Sequence, residues 1–206
     1  MLKIIQGMLV LFLPIAIILS NLLILTNNSN FYETIYKKEN IYQNFQSTTQ
    51  VNNATKELIG YLRGQNTLED NIYSLQAKVH LKDVKSLLKS AFAVNILALF
   101  VVAITASILL KNKKFRLLKR SIIIGSLTTI AIVIIVAVSL IVNFDFLFIK
   151  FHKLLFNNNL WLFPEEDNLI KLFPISFFTE FTKQLIINIF ATVFILLCLV
   201  YFLRKR

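Results

Sequence analysis

The chain has two histidines, His80 and His152, each within about ten residues of a long apolar run. Histidine is the side chain best matched to proton transfer near neutral pH, with an unperturbed pKa of about 6.5. Two imidazoles that converge can act as base, acid or nucleophile; two unrelated surface histidines are the alternative. Asp83 follows His80 by three residues. On a helix that includes both, this spacing lets the carboxylate orient the imidazole and stabilise its charged form. The competing reading makes Asp83 an N-cap whose helix starts just after His80, and its two oxygens allow both roles.

His152 belongs to FHKLLFNNNLWLFPEEDNLIKLFPISFF, Phe151 to Phe178, a stretch that combines His, Trp, clustered acids and prolines. Around it, FDFLFIKFHKLLF is apolar on nearly every side and is expected at the membrane interface, with Trp161 in the aromatic belt. Phe151, Phe156 and their neighbours then either anchor the segment or hold the acyl chains of a lipid whose polar part meets the histidines. Asn157, Asn158 and Asn159 are turn formers that can present amide donors to an ester or phosphate oxygen. Glu165, Glu166 and Asp167 sit where a short helix, opened by Pro164 and closed before Pro174, would favour acids, which makes them structural.

Other chemistries find little support. There is no HExxH motif, no GxSxG motif and no cysteine cluster, and the single cysteine, Cys198, excludes an intramolecular disulfide. No metal or other cofactor is expected.

The elements that must position these residues are membrane helices. Of 206 residues, 56% are hydrophobic and 16% charged, and the mean hydropathy is +0.68. Apolar runs of about 20 residues match the thickness of a bilayer. The expected fold is an all-α membrane protein of one domain, with four spans at about 8–25, 91–110, 121–142 and 185–203. The first run is too long for a signal-peptide core and lacks a small-residue cleavage site, so it reads as a retained span, kinked at Pro14. Loops 26–89 and 143–184 lie on one side and loop 111–120 on the other. Within the longer loop, Phe31, Ile35, Tyr42 and Phe45 suggest an amphipathic helix, and ATKELIGYLRG a second one begun by Asn53 and stopped by Gly64. Asp83 would cap a helix continuing through Lys89 into the second span.

Charge sets the orientation. Lys3, six basic residues in 111–120, and Arg204, Lys205 and Arg206 give ten positive charges with no acid on one side. The two longer loops carry eight basic against six acidic residues, and four against five. By the positive-inside rule both termini are cytoplasmic, and the two longer loops form a cap at the outer interface. All but one of the eleven excess charges are thereby explained without a nucleic-acid partner. Anionic lipid remains a partner for the basic clusters. No internal repeat is visible and no span has a central ionisable residue, which disfavours transporters and proton relays.

YLRG at Tyr61–Gly64, HLKDVK at His80–Lys85, and the Phe151–Phe178 stretch together resemble the four-span bacterial membrane proteins that include lipoprotein intramolecular transacylase. The resemblance runs from the first span to the last and rests on the two histidine motifs and their order. Leu81 stands where methionine is common. The resemblance implies an enzyme of the cytoplasmic membrane, its site facing outward, acting on diacylglyceryl lipoproteins. It would move the sn-2 acyl chain to the α-amine of the N-terminal cysteine, leaving a lyso-form lipoprotein. His80 and His152 would then be catalytic, with Asp83 orienting His80. Asn157 and Trp161 would take the oxyanion or positioning role, and Phe151 and Phe156 would contact substrate. A non-enzymatic protein that binds lipid or an envelope partner through its outer loops is the competing reading.

Overall fold

The structure, a computed structural model, describes residues 2–68 and 72–202. Among these there is no strand. The helices are α1 (Leu2–Thr26), α2 (Ser29–Lys38), α3 (Thr48–Arg63), α4 (Leu75–Lys111), α5 (Phe115–Val142), α6 (Phe144–Leu155), α7 (Asn168–Leu172) and α8 (Ile175–Phe202), with a 3-10 turn at Ile41–Asn44. Four of them, α1, α4, α5 and α8, are long and apolar enough to cross a membrane. Leu203 and the basic residues Arg204, Lys205 and Arg206, which figure in the expected fourth span and the charge pattern, lie outside the described residues.

The helices outrun the apolar segments because lysine and arginine are good helix formers and do not stop a helix where its apolar run ends. The clearest case is α4, whose 37 residues span about 55 Å at about 1.5 Å each. A hydrocarbon core is about 30 Å thick. Its early turns carry Lys78, Lys82, Asp83, Lys85 and Lys89 and belong outside hydrocarbon.

Several caps differ from expectation. Ser74, not Asp83, begins α4: its Oγ accepts from the Ala77 backbone N–H at 3.1 Å. Asp83 is therefore an interior helical residue, and His80 lies within the helix rather than before it. Both Ser and Asp are good capping residues, and the earlier one wins because the helix continues upstream. Likewise α3 starts at Ser47, whose side chain accepts from Gln50, and not at Asn53. Its end is as expected: Gly64 adopts φ +80°, a left-handed conformation that glycine takes without strain. The acidic stretch forms a turn before α7, which Asp167 caps by accepting from Leu169, so the helix opens at Asn168 and not at Pro164.

The helices divide into two compact units. One contains α1 up to Leu22, α4 from Ala91, α5, and α8 from Leu185. Its core joins Leu13, Ile17, Val133, Ile189 and Val193, with a second cluster of Leu9, Leu109 and Leu118. Gly125 lets α5 approach α1 closely; a Cβ there would meet the Leu13 side chain at 2.9 Å. Two side-chain pairs tie helices together, Ser20 Oγ donating to Asn95 Oδ1 (3.1 Å) and Asn21 Nδ2 to Thr192 Oγ1 (3.2 Å). Hydrogen bonds between helices replace the water that apolar surroundings cannot supply.

The other unit contains residues 23–90 and 145–184. Its core gathers Tyr32, Ile35 and Tyr36 of α2, Val51, Ala54 and Leu58 of α3, Ala77 and Leu81 of α4, and Leu169, Leu172 and Phe177. The buried face of α2 follows the i, i+3, i+4 spacing of one helical side. Buried hydroxyls find partners: Tyr36 pairs with Thr55 (3.1 Å), and Tyr73 donates to the Ala54 carbonyl (3.1 Å). Arg63, in the last turn of α3, donates to the carbonyl of Asn27 at 2.8 Å and to its side chain at 2.7 Å.

Candidate functional site

Within this second unit, α4 presents Gln76, His80 and Asp83 at i, i+4 and i+7, one stripe of a helix. The stripe meets the segment after α6. Gln76 Nε2 donates to the carbonyls of Leu160 (3.1 Å) and Leu162 (2.8 Å). Asn158 Nδ2 donates to Asp83 Oδ2 (2.9 Å). Asn158 also fixes its own turn: its Oδ1 accepts from the Leu160 N–H (3.0 Å), and its carbonyl accepts from Trp161 Nε1–H (3.0 Å). These clips flank His80 on both sides.

His152 lies in the last turn of α6, and the two imidazoles face each other with ring centroids 6.2 Å apart and planes inclined by 32°. Phe156 touches both, its centroid 5.1 Å from His80 and 5.6 Å from His152. Around His152 stand Phe148 (4.1 Å), Trp161 (4.8 Å) and Phe151 (5.4 Å); Phe163 is 5.6 Å from His80. Phe156 and Trp161 are buried, whereas Phe151 is half exposed.

The two rings differ in their hydrogen bonding. His152 Nδ1 is 2.8 Å from the Phe148 carbonyl. A carbonyl can only accept, so in the neutral ring Nδ1 carries the proton and Nε2 keeps its lone pair. His80 is 7% exposed, and its buried Nδ1 has no hydrogen-bond partner among the described residues. Burial pushes the His80 pKa down to about 4; the neighbouring His152 adds to this and Asp83 opposes it. Burial also lowers the pKa of His152, against the stabilising Phe148 carbonyl. Both imidazoles are therefore neutral near pH 7.

The structure brings together most of the residues singled out in the sequence. His80, His152, Phe151, Phe156 and Trp161 form one aromatic cluster, and Asn157 lines a groove beside it with Asp83 and Asn158. Two expectations change in detail. Asp83 makes its hydrogen bond to Asn158 and none to His80 among the described residues. The indole N–H of Trp161 is committed to Asn158, so this residue offers the site its ring. Sequence reading missed Gln76, Phe148 and Phe163. Phe148 was within reach, since it lies one turn before His152 on the same helix. Among the described residues no group of three His, Cys, Asp or Glu side chains is arranged to hold a metal.

Comparison with known proteins agrees with this architecture. A search of curated protein sequences gives no significant match. The membrane integral lipoprotein intramolecular transacylase Lit from Bacillus cereus, solved in meso, superposes with a TM-score of 0.90 at 23% identity, covering 100% of this chain and 96% of that one. A histidine-to-alanine variant of that protein superposes at 0.86, again at 23% identity, over 100% and 94% of the two chains. At that identity the likeness speaks for a shared fold of four membrane helices, and the chain is a multi-pass membrane protein. The sequence carries the kinship further: residues 7–178 match the family described as lipoprotein intramolecular transacylase Lit. With more than four-fifths of its length matched and its helices superposing from end to end, the chain belongs to the Lit family.

Proposed function

We propose that the protein is a lipoprotein intramolecular transacylase that moves the sn-2 acyl chain of a diacylglyceryl lipoprotein to the α-amine of its N-terminal cysteine. The observation that carries this reading is the pair of imidazoles whose ring centroids lie 6.2 Å apart inside an aromatic cluster. Family membership supports the reaction class. The basic excess in loop 111–120, with the near-balanced loops that bear the histidines, supports cytoplasmic termini and a site at the outer face of the cytoplasmic membrane.

An α-ammonium with a pKa of about 7.7 to 8.0 must first lose a proton to solvent to become a nucleophile. Its nitrogen then attacks the sn-2 ester carbonyl, forming a C–N bond. The second nitrogen proton passes to His152 Nε2, the nitrogen left basic by the bond from Nδ1–H to Phe148. Collapse breaks the ester C–O bond, and the glycerol oxygen takes the proton back from His152. His80 serves as the electrophile. Orphaned buried N–H groups are rarer than under-satisfied acceptors, so a partnerless Nδ1 is best left unprotonated, with the proton on Nε2. A neutral imidazole N–H can then donate to the oxyanion of the tetrahedral intermediate. Donor and acceptor belong to one molecule, so holding it in an attack geometry supplies part of the rate. The chemistry requires no cofactor.

Substituting either histidine with alanine should lower lyso-lipoprotein formation by about 10²–10⁴-fold while membrane insertion is retained. The check is mass spectrometry of lipoprotein N-termini from cells carrying each variant. Unchanged spectra in both would return the protein to a lipid-binding or partner-binding role.

A further inference from the structure

A groove of about 330 Å³ opens beside the histidine pair, and its lining includes Asp83, Ser86, Ser90, Phe156, Asn157 and Asn158. Phe156 joins the two places, since the ring that walls the groove also touches both imidazoles. The surroundings of His152 are aromatic, whereas this groove sets hydroxyls, amides and a carboxylate beside Leu87, Leu155 and Phe156. An acyl chain laid there would strip water from those groups without replacing their hydrogen bonds, a costly exchange. A polar, cationic piece of substrate can replace those hydrogen bonds and offset its own loss of water by pairing with the carboxylate.

The carboxylate is well placed for such a cation. Asp83 accepts from Asn158 through Oδ2, and a carboxylate has further acceptor sites on both oxygens. Among the described residues no lysine or arginine forms an ion pair with it. The nearby Lys85 instead lies over the Tyr61 ring, 4.0 Å from its centroid.

We propose that this groove seats the amino-terminal end of the lipoprotein, with the Asp83 carboxylate binding the α-ammonium and the Ser and Asn side chains receiving the peptide groups that follow. This rests on the transacylase reading and gives Asp83 a positioning role toward substrate in place of the expected one toward His80. The acyl chains are thereby directed to the aromatic side of Phe156 and the amine to its polar side, with the sn-2 ester between them.

The experiment uses the full-length protein in mixed micelles with two synthetic diacylglyceryl-cysteine lipopeptides, one with a free α-amine and one N-acetylated. Binding of both and turnover of the first are measured for wild type and Asp83→Asn. The variant should bind the free-amine lipopeptide about tenfold more weakly and raise its KM similarly, the order expected for a charge-assisted hydrogen bond. Its affinity for the N-acetylated lipopeptide should stay at the wild-type value. Equal losses for both ligands would mean a structural role through Asn158 and overturn the proposal, as would no loss for either. Absence of turnover by wild type, with the ammonium-dependent binding intact, would instead refute the reaction and leave the groove assignment standing.

Discussion

In the unit built from the membrane helices, Leu11, Ile135 and Phe194 turn outward at 63%, 65% and 68% exposure around buried Leu9 and Leu109, whereas the histidine-bearing unit closes a core on Tyr36, Val51, Ala54 and Leu172 and exposes apolar surface chiefly along α6, at Phe146 and Leu154. Water would penalise the first arrangement heavily, and lipid does not. The first unit holds its helices by packed apolar side chains such as Leu13, Val133 and Val193, by the close approach of Gly125 to Leu13, and by hydrogen bonds such as Ser20–Asn95. The second is built like a water-soluble core, with apolar side chains packed inward and buried hydroxyls paired. The lesson is that chemistry resides in the unit that can hold polar groups at fixed positions. Gln76, Asp83 and Asn158 define the site through hydrogen bonds.

The comparison can be broken by experiment. The largest stability effect is expected for Leu172→Ala, which empties a fully buried position of the second unit and should cost about 2–5 kcal/mol. Urea unfolding followed in micelles measures it, and a loss below about 1 kcal/mol would mean that this unit lacks a solid core.

Acidification should have an intermediate effect. The His80 pKa is about 4 in the folded protein against about 6.5 when unfolded. Between those values the unfolded chain binds more protons, so the stability conferred by the neutral, buried ring is complete above about pH 6.5, declines as pH falls, and is exhausted near pH 4. Thermal unfolding of wild type across this window should show a falling Tm, and His80→Asn should flatten part of that slope. Comparison with the variant separates this contribution from that of Glu180, whose carboxylate is held by Lys183 and Lys38 and which titrates at the acid end.

The smallest effect belongs to Ile135→Ala on the exposed face of α5. In lipid it should change stability by less than about 0.5 kcal/mol, the range for positions away from packed or bonded features. A cost approaching that of Leu172→Ala would show that this face is covered by protein instead of lipid.

The four long apolar helices were legible in the sequence because an apolar run of span length suits a bilayer and little else, and the two histidine motifs in their order pointed to the family; the separation of two compact units was not, since the sequence reads as one domain. The pairing of His80 with His152 was foreseeable as chemistry but not as geometry, since 71 intervening residues leave the approach of the rings to tertiary packing. Cap assignment failed where two residues of similar capping strength compete: Ser74 and Asp83 are both suitable, and only the helical path upstream of His80 decides. The Asp83–Asn158 link, 75 residues long in sequence, has no local signature. Gln76 was passed over for the same reason, because a glutamine on a helix is ordinarily a solvated residue until a partner backbone arrives.

Asn157, Asn158 and Asn159 look interchangeable in the sequence. The middle one is not: its amide hydrogen goes to a carboxylate, its side-chain oxygen to a backbone N–H, and its carbonyl to an indole. Replacing Asn158 by Asp would preserve shape and reverse the meaning of one atom, setting two carboxylates against each other where a donor met an acceptor. The fit of this turn against α4 thus hangs on a single amide, and its two identical neighbours cannot stand in for it.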